Sequence, residues 1–339
     1  MAELLRVTTE GLYCEAGDFF IDPWRPVARA VITHGHADHA RTGCASYLAS
    51  VDGLPVLRAR LGADAPISTL AYGETVQHNG VNISLHPAGH ILGSVQVRVE
   101  HKGDVWVASG DYKNGCDPTC LAMEPVRCRV FISESTFGLP IYRWNHDDII
   151  RSEILDWWTE CKNKGRAAVL LGYSLGKAQR LLAMVGHDGP GLIVEHAAVA
   201  SMTKAYREAG VVLPPTRSAG EGMPEGGWAG CLVIAPPSVQ ATPWVRKFGE
   251  ISTAFASGWM RVRGARRRQG FDRGFVVSDH ADWPGLLEVI AATGAERVLV
   301  THGQVAVLSR YLLEKGIDAG PLATRWIGES DGTEPEPAP

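Results

Sequence analysis

The chain has 339 residues, 45% of them hydrophobic and 21% charged, with a net charge of −4 at pH 7. Such a length fits two domains, or one large core carrying an insertion, and the near-balanced charge excludes a globally basic nucleic-acid binder: any basic surface must be local. No charged-then-apolar leader opens the sequence and no apolar run approaches the ~18 residues of a membrane span, which predicts a cytoplasmic chain with no membrane partner.

In chain order, the first third alternates short β-rich runs with turn signals. "ARAVI" predicts a buried strand that stops just before "THGHADHA" (33–40), where Asp38 and His39 are expected to begin a helix. "VNISLHPA" (81–88), "SVQVRVE" (94–100) and "DVWVAS" (104–109) read as strands, the last two joined through "HKGD" as a hairpin, and "RCRVFISEST" (127–136) is another. After Pro140 the texture changes to helix and strand by turns. "DIIRSEILDWWTECKNK" has helical apolar spacing, "AAVLLGY" is a buried strand, "GKAQRLLAMV" a helix, "GLIVEH" extended, and "SMTKAYREAG" a glycine-stopped helix. The proline- and glycine-rich interval 213–230 reads as loop or strand connection. From 274, strand and helix alternate again through "GFVVS", "PGLLEVIAAT", "RVLVT" and "AVLSRYLLEKG", and the acidic, proline-rich end reads as a disordered tail. The seven cysteines are odd in number and scattered, as free thiols of a reducing compartment are; Cys116 and Cys120 in "CDPTC", with Cys128 nearby, leave a structural zinc open at a loose spacing.

"THGHADHA" packs three histidines and an aspartate between His34 and His39. A single histidine is most simply a surface or satisfied core residue. Four such donors together supply the borderline nitrogens and the hard oxygen that zinc or manganese accepts. Because they begin where a strand stops, His34 and His36 can aim one way while Asp38 and His39 point at a neighbouring position, an arrangement suited to two adjacent metals. Further donors fall where other predicted strands run out: His90 in "PAGHILGS", Asp111 in "SGDY" and His302 in "THGQ". Ligands delivered from several strand ends to one sheet edge sit on a rigid scaffold while leaving positions open for water and substrate.

The motif H-x-H-x-D-H (His34, His36, Asp38, His39), followed by a lone histidine and then an aspartate, resembles the metallo-β-lactamase fold over 1–136 and about 274–326. Glu134 in "SEST", the interruption 141–273, His280 in "SDHADW" and His302 in "THGQ" resemble motifs A, B and C of its β-CASP branch of nucleic-acid nucleases. "SESTFGLPIYRW" and "GYSLGKAQRLL" are most similar to the bacterial ligase-associated DNA exonucleases. The resemblance implies an α/β protein: a metallo-β-lactamase αββα sandwich from 1–140 and 274–326, an inserted α/β β-CASP domain, 141–273, and the tail 327–339. It also implies that His34, His36 and His90 hold one divalent ion and Asp38, His39 and His302 a second, zinc and/or manganese, about 3.5–4 Å apart. Asp111 would bridge them, and Asp22 in "FIDP" would orient a ligand. His280 would protonate the leaving oxygen with Glu134 holding its imidazole, Asp38 sharing the catalytic centre. An ordinary helix-start residue is the other reading of His280.

The activity so implied is two-metal phosphodiester hydrolysis, exonucleolytic on single-stranded DNA from the 5′ end, in DNA repair, with a DNA ligase and other repair enzymes as partners. Histidine at the third motif is shared with the RNA enzymes, whereas the Artemis-like DNA branch usually carries an apolar residue there. An RNA-processing nuclease therefore stays open, and so does a small-ester or thioester hydrolase of the same superfamily. For substrate contacts, "GWMRVRGARRRQGFDRG" (258–274) carries Arg266, Arg267 and Arg268 in a run that is either a solvated loop or a clamp for a nucleic-acid backbone. "YSLGKAQR" (173–180) ends a strand and opens a helix, so Ser174 and Lys177 would bind a phosphate, or Ser174 simply cap the helix. Trp259 and Tyr142 would stack bases or belong to the core.

Overall fold

The computed structural model describes residues 3–240, 242–262 and 270–326. The chain divides into two compact units, one from Met1–Arg143 with Asp279–Glu329 and the other containing Trp144–Ser278. Among the described residues no helix is long and apolar enough to cross a membrane. The predicted tail, 327–339, lies outside the described residues, as do Arg266, Arg267 and Arg268.

The first unit holds two sheets. One has six strands in chain order, Arg6–Val7, Leu12–Cys14, Phe19–Ile21, Ala30–Val31, Tyr47–Ser50 and Ile67–Leu70, antiparallel at its start and parallel from Phe19–Ile21 onward. The other has seven, in the spatial order Asp318–Pro321, Arg297–Gly303, Val130–Ser135, Asp104–Ala108, Val95–His101, Val81–Pro87 and Thr75–His78. Its first four strands run parallel and the rest pair antiparallel. Side chains of alternating positions divide between its faces, as the strand period of two requires. Ile83, Val97, Ile132 and Leu299 join Leu12, Ile21 and Val31 of the six-stranded sheet in one apolar cluster. Val107, Phe131, Val298 and Val300 pack instead with Leu286 and Ile290 of helix Trp283–Thr293 and Leu308 and Leu312 of helix Val305–Glu314. A third cluster puts Ala30, Ile32 and Ala49 against Leu57 of helix Leu54–Leu61.

Val130–Ser135 and Arg297–Gly303 are neighbours in the sheet although the whole second unit separates them in sequence. Their pairing slips between Ser133, opposite Val300, and Ser135, opposite Gly303, so Thr301 and His302 together face Glu134. This is a β-bulge, a device that turns a side chain out of its regular direction beside a site. His302 lies within its strand, which runs two residues beyond the run "RVLVT", to Gly303.

The second unit is built on a parallel six-stranded sheet, in the order Arg217–Ser218, Ile193–Glu195, Leu232–Ala235, Ala167–Leu171, Ile251–Ala256 and Arg273–Phe275. Helices Asp147–Asn163, Lys177–Val185 and Ala197–Glu208 send Ile154, Trp158, Leu181 and Val199 into a cluster with Leu170 and Ile234. The opposite sheet face packs Val169, Val233 and Phe255 against Trp228 and Phe248. Leu232–Ala235 and Ile251–Ala256, both central, have no counterpart in the sequence reading. The predicted strand "GFVVS" is shorter than expected, ending at Phe275.

Candidate metal centre

Strand Ala30–Val31 ends just before Thr33, and the histidine-rich stretch that follows is a turn rather than the start of a helix. His39 N–H and Ala40 N–H both donate to the His36 carbonyl, at 3.1 and 2.8 Å, closing one turn that is not continued. The turn aims His34 and His36 together: His34 Nε2 and His90 Nε2 each lie 3.1 Å from His36 Nδ1. Asp111 Oδ2 is 3.5 Å from His34 Nε2, 3.9 Å from His90 Nε2 and 3.7 Å from His39 Nε2. On its other side Asp111 Oδ1 is 2.9 Å from His302 Nε2, and Asp38 Oδ2 is 3.5 Å from His39 Nε2. Asp111 can reach this position because Gly110, at φ +58, brings its backbone against Thr33, where a Cβ would stand 2.7 Å from the Thr33 hydroxyl oxygen.

The tautomers follow from fixed partners. Asp22, itself buried at φ 43, accepts from Thr33 N–H at 2.7 Å through Oδ1, and through Oδ2 from the Thr33 hydroxyl and from His39 Nδ1 at 2.7 Å. With its own proton committed to Asp22, Thr33 Oγ1 accepts from His34 Nδ1 at 3.0 Å. The Asp279 carbonyl can only accept, so His90 Nδ1 carries the proton of their 2.8 Å bond. His34, His39 and His90 thereby turn Nε2 inward, the atom through which an imidazole ligates a metal once that nitrogen carries no proton.

Three of the inward atoms, His39 Nε2, His302 Nε2 and Asp111 Oδ1, are buried and make no well-aligned hydrogen bond among the described residues, although the last two stand 2.9 Å apart. Leaving such atoms unmet is costly unless something binds them. The electrostatics demand positive charge at the same place. Burial would depress His39, yet Asp38, Asp111 and Asp22 overcome it and lift the imidazole to about 10. Burial would raise Asp111, yet His39 and His302 hold its carboxyl well below the usual range. His34 and His90 are pushed well below the ordinary imidazole value, mainly by burial and then by their histidine neighbours, so they stay neutral. Neutral nitrogens beside carboxylates that pull in protons form a donor set suited to divalent cations. His34, His36, His90 and Asp111 have ligand atoms within 4.8 Å of one another, and so do Asp111, Glu134 and His302.

Beside this cluster stands a second pair. His280 Nδ1 lies 3.0 and 2.9 Å from the two Glu134 oxygens, both residues being buried. Glu134 is itself anchored by Tyr112 N–H, which donates to Oε1 at 2.7 Å. The His280 ring is 4.5 Å from His90 and 6.0 Å from Phe137. Helix Trp283–Thr293 is capped by Asp282, whose side chain accepts from Gly285 N–H, so His280 is not its cap.

All ten of the residues His34, His36, Asp38, His39, His90, Asp111, Glu134, His280, His302 and Asp22 thus belong to the first unit and meet at these two clusters. Ser174 and Lys177 belong to the second. Ser174 is half-buried and precedes the Gly176 cap of helix Lys177–Val185. Lys177 is fully buried and donates from Nζ to the Val277 carbonyl at 3.1 Å, so its ammonium is held inside the fold instead of offered at a surface. Tyr142 is buried with its ring 4.8 Å from Phe137, which makes it a core residue and no platform for a base. Trp259 packs at the margin of an apolar cluster. No disulfide forms among the seven cysteines, and none of them joins a metal-capable cluster of the described residues. The residues missed by sequence reasoning are Thr33, the Asp279 carbonyl and Trp326. Only Thr33 had a signal, its place beside His34 in the motif.

Compared with known proteins, the chain is 31% identical over 329 residues to a probable DNA ligase of Opitutus terrae, a match covering 96% of this chain and 31% of that protein. It is 30% identical over 124 residues to the endoribonuclease YSH1 of Saccharomyces cerevisiae, covering 34% of this chain and 15% of the relative. The chain therefore spans about a third or less of the length of these relatives. A solved structure of a protein of unknown function from Enterococcus faecalis superposes with a TM-score of 0.56 at 12% identity, over 90% of this chain and 80% of that one, a likeness of fold. No family model matches the chain. With the H-x-H-x-D-H turn, the following histidine and aspartate, the Glu134–His280 pair and a likeness along nearly its whole length, the chain belongs to the β-CASP branch of the metallo-β-lactamases.

Proposed function

We propose that the chain is a two-metal phosphodiesterase that degrades single-stranded DNA from an end. The observation that carries this reading is the convergence of buried imidazole and carboxylate donor atoms beside a hydrogen-bonded glutamate–histidine pair. In this reading His34, His36 and His90 hold one cation, Asp38, His39 and His302 the other, and Asp111 spans both, while Asp22 keeps His39 in its ligating tautomer. Two divalent cations bound there, zinc or manganese, would supply Lewis-acid neutralisation of the phosphate charge and would lower the pKa of an attacking water toward neutral pH. His280 delivers a proton from Nε2 to the departing sugar oxygen. Glu134 fixes that role by holding Nδ1–H, so that only Nε2 exchanges protons with the substrate. The fold that suits this chemistry is the αββα sandwich: the two sheets of the first unit share one apolar cluster, and on its other side the seven-stranded sheet carries two helices and the six-stranded sheet carries helix Leu54–Leu61.

The polymer is the finer part of the proposal. DNA as the polymer and a neighbouring ligase are supported by the likeness to a protein called a probable DNA ligase; attack from the 5′ end and a repair setting in the cytoplasm complete the proposal. RNA is the second reading, supported by the likeness to a yeast endoribonuclease. The deciding experiment incubates the purified chain, with manganese or zinc, with DNA and RNA single strands labelled at either end. Shortening of DNA alone from its 5′ end is the expected result. Internal cuts in RNA with DNA untouched would replace the DNA reading by the RNA one, and no cleavage of either with bound metal would refute the nuclease.

A further inference from the structure

Trp326 follows the last strand of the seven-stranded sheet and is buried, 7% exposed, behind the metal-ligand cluster. Its indole stacks on the His39 imidazole, with ring centroids 5.4 Å apart and planes 17° from parallel. The indole N–H donates to the Asp22 carbonyl at 2.9 Å, and the ring meets His302 edge-on at 6.4 Å. The segment leading to it is fastened to the strand that carries His302: Leu322 N–H donates to the Val300 carbonyl at 2.8 Å, and the hydroxyls of Thr324 and Thr301 are bonded to one another. Trp24 and Arg325 close the outer side, with Trp24 6.2 Å from the Trp326 ring and the Arg325 guanidinium 6.0 Å over Trp24.

These contacts bear on one ligand. His39 Nδ1 is held by Asp22, and Asp22 stands at a left-handed φ of 43, a conformation that a non-glycine residue keeps only when its surroundings hold it. Trp326 grips both partners of that pair, the carbonyl of Asp22 and the ring face of His39. We propose that Trp326 is a positioning residue for His39: it sets the imidazole plane, keeps water from the Asp22–His39 hydrogen bond, and so retains the cation assigned to Asp38, His39 and His302. The proposal rests on the reading of those three residues as ligands. The cation assigned to His34, His36 and His90 meets this contact only at one remove, through Thr33 between Asp22 and His34, so the effect falls chiefly on one of two ions.

The test titrates zinc into the metal-free full-length chain against a chromophoric chelator, for wild type, Trp326→Phe and Trp326→Leu, and follows thermal unfolding of the metal-free forms alongside. Wild type takes up two ions. In Trp326→Leu one ion is expected to bind 10–100-fold more weakly, the range seen when a group that orients a metal ligand is lost, with the other much less affected. Trp326→Phe keeps a stacking ring without the N–H and is expected to fall between the two; it carries the test should the leucine variant not fold. Equal weakening of both ions, which a general loss of packing would produce, overturns the proposal, as does an unchanged titration. A wild type that takes up no zinc overturns the ligand assignment and this inference with it, whereas two tight ions in wild type and in both variants overturn this inference alone.

Discussion

Removing the His280 imidazole should damage the chemical step and spare the metals. The ring's only role in the proposed reaction is to present a proton at Nε2; its Nδ1 sits 2.9–3.0 Å from Glu134, and among the described residues His280 belongs to none of the metal-capable groups. His280→Ala should therefore keep both ions and slow cleavage about 10²–10⁴-fold, the usual worth of a positioned general acid. Glu134→Gln sets a finer scale. Oε1 already accepts from both Tyr112 N–H at 2.7 Å and His280 Nδ1 at 3.0 Å, so a glutamine oxygen placed there keeps both bonds. What is lost is charge, together with the second acceptor, Oε2, that His280 Nδ1 meets at 2.9 Å and Thr136 N–H at 3.4 Å. A hydrogen bond to a charged partner is worth about 1.5–3 kcal/mol and a neutral one about 0.5–1.5. The difference, about 1–1.5 kcal/mol, corresponds to roughly 5–15-fold in rate. The assay compares single-turnover cleavage of a natural single strand with that of a nitrophenyl phosphodiester, whose leaving group departs without a proton. Both variants should recover most of their loss on the activated ester. If His280→Ala is equally slow on the two substrates, or if it sheds metal while His302→Ala does not, the proton-donor assignment is wrong.

Asp111→Asn should abolish cleavage under limiting metal and reduce the ions bound, with unfolding of the metal-free chain little changed; wild-type turnover in that variant would end the two-metal assignment. Neutralising Arg266, Arg267 and Arg268 together should weaken single-strand binding and flatten its salt dependence by about two units of log–log slope, about 0.7 for each phosphate that is no longer neutralised. An unchanged slope would return that run to a solvated loop. His196 caps helix Ala197–Glu208 by accepting the Ala198 N–H at Nδ1, which requires a neutral ring, and burial together with Lys247 lowers it from the ordinary value of 6.5. A base depressed in the folded state contributes stability that is present above 6.5 and lost as pH falls through its folded value. The unfolding midpoint should thus drop on acidification below 6.5, and His196→Asn, which caps at any pH, should remove part of that drop; an identical pH profile in the variant would dismiss the cap.

Much of the site was legible in the sequence because its donors are coded locally. Where an apolar run ends and a histidine or aspartate follows, the strand's termination already delivers the side chain to the sheet edge, and that logic located His34, His90 and Asp111 without a structure. The order of helices in the second unit was legible for a similar reason, since an amphipathic repeat is a property of neighbours in the chain. Four things depended on distant residues. The strands Leu232–Ala235 and Ile251–Ala256 become recognisable only when both their neighbours are in place, because a short central parallel strand has no periodicity of its own. The direction of Glu134 depends on a bulge between strands separated by the entire second unit. Lys177 and Tyr142, promising for substrate in the sequence, are taken inward by a carbonyl and an aromatic neighbour. Trp326 is the clearest case. Nothing near it in sequence marks it, and it meets Asp22, 304 positions away, because closing the fold sets the end of one sheet against the first turn of the other. Composition and spacing determined which atoms are available to hold metal; tertiary packing decided which of them are held still.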